Sequence, residues 1–138
     1  MFNDHVIYNN THMSDSNDHH AAEEKKNLGN AQYKKGNYMS AVKFYSQALD
    51  LAPSEQILSN RAMAYIAYKD YKRAVDDCKA AIRINPAFAR VYKRLFKAQL
   101  ALGNIQPAKE ALEQAVALDP TDATNRKDQS ALDTVIHQ

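Results

Sequence analysis

A single cysteine, Cys78, stands in 138 residues, which excludes an internal disulfide and fits a reducing compartment. A cytoplasmic location is therefore expected. No stretch approaches the ~18 consecutive apolar residues of a membrane span, and the N-terminal region has no apolar signal-peptide core, so the chain reads as soluble and without a membrane partner. Trp is absent, and Gly and Pro number three and four, few enough to favour helix over sheet in a chain rich in Ala, Lys, Leu and Glu. Residues 21–136 contain no His, no Gly-rich phosphate loop and no paired Cys, so the usual catalytic and metal-ligating sets cannot be assembled. No enzyme, no cofactor and no catalytic or metal site is expected.

What is present is one domain's worth of ordinary globular sequence, 45% hydrophobic and 25% charged, long enough to bury a core without staples. Residues 1–20 are mostly Asn, Asp, Ser, Thr and His, too poor in apolar groups to offset the entropy of ordering them, and read as a disordered polar tail. His5, His12, His19 and His20 lie here and read as part of a solvated segment. All the Lys and Arg residues follow it, which makes residues 21–138 basic and points to an anionic partner.

An internal period decides the architecture. Pro53, Pro86 and Pro120 recur at intervals of 33 and 34 residues, and so do Ala41, Ala74 and Ala108, and Ala48, Ala81 and Ala115. A fourth column holds the turns Gly36-Asn37-Tyr38, Lys69-Asp70-Tyr71 and Gly103-Asn104-Ile105. Each unit is helix, tight turn, helix, with Pro stopping the second helix. The spacing predicts helices near 21–35, 38–52, 55–68, 71–84, 89–102 and 105–118, with a capping helix near 124–137 carrying Leu132, Val135 and Ile136. Gly29 and the recurrent Ala residues suit close helix crossings, while Leu28, Tyr45, Leu49, Tyr65, Ile82, Leu95 and Leu112 are expected to fill the space between. Asp76 and Asp77, adjacent on an exposed helix, point two ways and make no acid pair. Cys78 falls in a packing column and reads as a buried structural thiol.

The columns Leu28-Gly29, Ala41, Tyr45, Ala48, Pro53, then Ala62, Tyr65, Ala74, Ala81, Pro86, then Ala108, Ala115, Pro120 resemble the tetratricopeptide repeat, a helix-turn-helix unit of about 34 residues. The resemblance covers nearly everything after residue 20 and departs at Phe96, where a small residue is usual, and in the loop after Pro53, one residue short. It implies an all-α fold with three repeats, about 22–54, 55–88 and 89–122, plus the capping helix, in a right-handed superhelix over residues 21–138. First helices of each pair would line the concave surface. That groove would carry Lys26, Lys34, Arg90, Lys93, Arg94 and Lys97 against Glu23 alone.

Lys26 and Asn30 are one helical turn apart, as are Arg90 and Arg94, and Asn60 lies on the helix between them. Asn disfavours helix interiors, so two interior Asn residues beside cations suggest amides that donate to a carboxylate. The set resembles the carboxylate clamp of co-chaperone tetratricopeptide domains of the Hop/Sti family, small glutamine-rich tetratricopeptide proteins and J-proteins with such repeats. Lys26 and Asn30 match Lys-x-x-x-Asn, Asn60 matches Ser-Asn-Arg, and Arg90 and Arg94 match Lys-x-x-x-Arg with Arg in place of Lys. The resemblance implies a monomeric co-chaperone or adaptor that binds the free Glu-Glu-Val-Asp C-terminus of cytosolic heat-shock chaperones of the 70 kDa or 90 kDa class. Tyr33, Met63, Ile66 and Lys97 would complete the peptide groove. The alternative is a general scaffold of the same fold holding an internal segment of a non-chaperone partner. Tyr33, Tyr38, Tyr68, Tyr71 and Tyr92 beside basic residues invite comparison with base-stacking platforms, but at helical spacing they read as packing, and no nucleic acid is expected.

Overall fold

The computed structural model describes residues 2–138, with side chains from residue 16 onward. Seven helices follow one another: α1 (Phe2–Lys34), α2 (Tyr38–Leu51), α3 (Glu55–Tyr68), α4 (Tyr71–Ile84), α5 (Ala89–Ala101), α6 (Ile105–Leu118) and α7 (Asn125–Ile136). No strand occurs among the described residues. The starts and ends of α2 to α7 lie within a residue of the positions set by the turn and Pro columns. At its N-terminus α1 instead runs far upstream of residue 21, through the stretch expected as a disordered tail. A helix already seated can propagate outward at one hydrogen bond per residue without core contacts. His5 and His12 lie outside the residues whose side chains are described.

The period visible in the sequence is also a period in hydrogen bonding. In each pair the turn closes on the first helix, with Asn37 N–H donating to Gln32 O, Asp70 to Tyr65 O and Asn104 to Gln99 O at 2.8–2.9 Å. The same residues accept from Ala41, Ala74 and Ala108, the first column of Ala. At the far end, the C-cap N–H groups of Ala52, Asn85 and Asp119 donate to Ala48, Ala81 and Ala115, each at 2.9 Å. The tight turn requires a left-handed residue, which is Gly36 (φ 81°) and Gly103 (φ 80°) in two units and Lys69 (φ 70°) in the other. Ser54 caps α3, its Oγ accepting from the N–H groups of Gln56 and Ile57, as an N-cap hydroxyl should.

The core forms two buried clusters along the stack, with the partly buried Leu95 packed against both. Ala41, Tyr45, Ala48, Ala62, Ala64, Ala74, Cys78, Ala81, Val91 and Ala98 are buried in one cluster that spans α1 to α5. A second cluster, Phe96, Ala108, Ala111, Leu112 and Leu132, joins α5 and α6 to α7. Phe96 is thus buried in one cluster with two small Ala residues of α6, and Leu132 anchors the cap by burial worth about 1.5–3 kcal/mol. Leu28 departs from expectation: it is 46% exposed and packs into neither core cluster. Gly29 behaves as expected, since an added Cβ would stand 2.6 Å from Tyr45 Cε1.

Asp77 also departs from its expected exposed position. It is buried and takes a bidentate pair from Arg61, Nε to Oδ2 at 2.8 Å and Nη2 to Oδ1 at 2.7 Å. Arg61 Nη1 donates to Ser46 Oγ at 2.9 Å, so one guanidinium on α3 ties down both α2 and α4. Planar, forked donors make this geometry available to Arg and not to Lys.

Candidate functional site

Asn30 on α1 and Asn60 on α3 meet directly, Asn60 Nδ2 donating to Asn30 Oδ1 at 3.3 Å. The same Oδ1 accepts from the Tyr45 hydroxyl at 2.5 Å. Two donors on one carbonyl oxygen fix the orientation of the Asn30 amide and leave its NH2 for other acceptors. Tyr45 was read from the sequence only as a space-filler. A buried tyrosine needs a partner for its hydroxyl, and that requirement is the signal that links it to the site. Burial pushes the Tyr45 phenol up to about 12, with Tyr33 adding to the shift and Arg94 opposing it, so the hydroxyl stays a donor across the physiological range.

Arg94 approaches the same place from α5. Its Nη1 donates to Ser59 Oγ, and its Nη2 lies 3.3 Å from Met63 Sδ. Ser59 is fully buried and immediately precedes Asn60, so the side chain that steadies Arg94 and the one that bonds Asn30 are consecutive in the chain. Burial, then the neighbouring Arg90, lower the Arg94 guanidinium to about 10. It remains charged at neutral pH, and among the described residues it has no carboxylate partner. A half-buried cation in that condition favours any anion that reaches it.

The remaining expected residues have other surroundings. Lys26 is one turn before Asn30, its side chain only 11% exposed and its Nζ 2.8 Å from Glu23 Oε1. Arg90 is exposed, with its guanidinium 5.9 Å from the Phe88 ring centroid. Tyr33 and Ile66 are half-buried against the core, while Lys97 is exposed. Arg90, Arg94 and Lys97 line a concavity of about 480 Å³ together with Asp119 and Asp122. Lys26 lines a second one of about 240 Å³.

Lys93 does not add free charge to the groove as expected. Its Nζ lies 2.5 Å from Asp128 Oδ2 and 3.9 Å from Asp122 Oδ2, and it donates to Asn125 Oδ1 at 2.9 Å. The cap thus neutralises it. Cys78 is fully buried next to this framework, and burial raises its thiol to about 12, which makes it inert as a nucleophile. Among the described residues, no group of three or more His, Cys, Asp or Glu could hold a metal ion. Among the described residues, no helix is long and apolar enough to cross a membrane. Chemically, the arrangement can receive a small anion: fixed amide donors, an uncompensated guanidinium, and further cations one turn away on α1 and α5.

Comparison with known proteins gives relatives in sequence and neighbours of the same fold. Heat shock protein STI1 of Saccharomyces cerevisiae is 31% identical over 116 residues, 83% of this chain and 19% of that protein. The first TPR of Spaghetti (RPAP3), solved bound to the HSP90 peptide SRMEEVD, superposes with a TM-score of 0.83 at 26% identity, covering 87% of this chain and 96% of that one. The second TPR domain of human RPAP3, solved with the HSP70 peptide SGPTIEEVD, gives 0.80 at 27% identity, covering 84% and 98%. The chain spans between 14% and 33% of the length of the curated relatives it matches. Tetratricopeptide-repeat models match residues 22–55 and 65–126, and with three helix pairs, a cap and a hydrogen-bonded period that repeats in each unit, the chain belongs to the tetratricopeptide-repeat family.

Proposed function

We propose that the chain is a protein-recognition module that captures the free C-terminal Glu-Glu-Val-Asp tail of cytosolic heat-shock chaperones, acting as a co-chaperone or adaptor and not as a catalyst. The observation that carries this reading is the Asn30–Asn60 amide pair, pinned by Tyr45 beside a guanidinium with no carboxylate partner among the described residues. A terminal Asp presents two carboxylates a few bonds apart. One carboxylate takes the Asn amides and Arg94; the other takes Lys26, with Arg90 adding charge at the rim. Met63, Tyr33, Ile66 and Lys97 flank the peptide. The comparison domains solved with SRMEEVD and SGPTIEEVD support the same chemistry. Each charge-assisted hydrogen bond contributes about 1.5–3 kcal/mol. Several of them, offset by ordering a flexible peptide, correspond to roughly micromolar affinity, suited to a reversible cytoplasmic adaptor.

Fluorescence polarisation with labelled SRMEEVD and SGPTIEEVD tests the reading. Both acid-terminated peptides should bind, and Lys26→Ala, Asn60→Ala or Arg94→Ala should each weaken binding at least tenfold. Equal binding of C-terminally amidated peptides would discard it in favour of a scaffold for an internal segment.

A further inference from the structure

The Lys26–Glu23 pair has no role in the reading above. Glu23 sits on the turn before Lys26, with Oε1 2.8 Å from Nζ, and its side chain is 59% exposed. The two residues line the 240 Å³ concavity with His19, Ala52, Pro53 and Gln56, and no other carboxylate lines it. The groove's cations are therefore unequal. Arg90 and Arg94 have no carboxylate partner among the described residues, whereas Lys26 already holds one.

We propose that Glu23 is an internal competitor for the ligand's carboxylate at Lys26, and so an affinity-determining residue of the groove; this rests on the functional reading above. An ion pair one turn apart on a helix with one partner exposed is weak, so an incoming carboxylate can replace it. Lys26 is walled in and exchanges one carboxylate for another, whereas Glu23 swings back into water with little desolvation to reverse. If Glu23 stayed, two carboxylates would crowd a single ammonium and repel each other. The free protein thus keeps Lys26 compensated and oriented, and every ligand must displace that compensation.

The test is calorimetric titration of acid-terminated SRMEEVD into the wild-type protein, Glu23→Gln and Glu24→Gln. Both variants remove one negative charge, but the Glu24 carboxylate faces His20 at 3.4 Å and not the groove cation. Glu23→Gln should tighten binding about two- to fivefold at low salt, the range set by a weak one-turn ion pair with one exposed partner, and the gain should shrink at about 0.5 M salt. Glu24→Gln should leave affinity unchanged. Equal gains from both variants would reduce the effect to net charge and overturn the proposal, as would unchanged or weaker binding by Glu23→Gln. A wild-type protein that binds neither SRMEEVD nor SGPTIEEVD would instead overturn the functional reading, and the role of Glu23 with it.

Discussion

Replacing Gly29 by Ala sets two well-measured effects against each other at a position that touches both core and site. Helix propensity alone favours Ala over Gly in a helix interior by about 1 kcal/mol. Packing opposes it: the new Cβ would stand 2.6 Å from Cε1 and 2.7 Å from Cδ1 of Tyr45, well inside contact distance. The ring is fully buried and cannot swing into solvent, so α1 and α2 must separate or the ring must leave its rotamer. Overpacking of this kind costs about 1–3 kcal/mol, and a clash this deep belongs in the upper part of that range. The net expectation is a loss of about 1–2 kcal/mol, or a Tm lower by about 3–8 °C in a domain of this size. Because the Tyr45 hydroxyl holds Asn30, peptide affinity should fall as well. Urea unfolding and peptide titration on Gly29→Ala read the two consequences separately, and Tyr45→Phe removes the hydroxyl without the clash. A Gly29→Ala protein more stable than wild type by the propensity increment would refute the close-approach reasoning.

Lys69 occupies a left-handed position that the other repeats give to Gly, a conformation costing an L-residue about 1–2 kcal/mol. Lys69→Gly should therefore stabilise by up to about 1 kcal/mol after the added unfolded-state entropy, measured by urea unfolding; a destabilised variant would contradict this. Arg94→Met should abolish peptide binding while leaving the free domain as stable as wild type or more so, because it removes a half-buried uncompensated cation. A large drop in Tm would show that Arg94 is instead a structural group. Asp70 caps α4 and pairs with Arg73 at 2.6 Å, and the Arg73 guanidinium holds its carboxyl below the ordinary 3.8. A depressed folded value means the carboxylate's contribution is full above 3.8 and is lost as pH falls through the lower folded value. The small stability gap between wild type and Asp70→Asn should therefore close in that acid window, and a gap independent of pH would contradict the assignment.

Much of the fold was legible because punctuation repeats: the Pro column, the Gly-Asn or Lys-Asp turns and two Ala columns place the ends of six helices. That Asn30 and Asn60 meet was legible in part, because interior Asn residues are locally unfavourable and need a tertiary reason. Other features depend on what lies across space and not along the chain. Leu28 looks like core by composition but is exposed. Lys93 sits between Arg90 and Arg94 in sequence, yet a long side chain reaches whichever acid is near, and α7 supplies Asp128. Asp77 is polar by type, and only the position of Arg61 on the neighbouring helix makes its burial affordable. Tyr45 shows both sides, since its burial followed from helical spacing while the hydroxyl's partner did not.

The most direct measurement is NMR of the Asn side-chain amide resonances during titration with acid-terminated SRMEEVD and its C-terminal amide. The NH2 signals of Asn30 and Asn60 should both shift with the acid peptide, along one binding curve shared with Lys26 and Arg94, and barely move with the amide. Shifts confined to the opposite face of the solenoid, or identical responses to the two peptides, would contradict the convergence of these groups on a single anion.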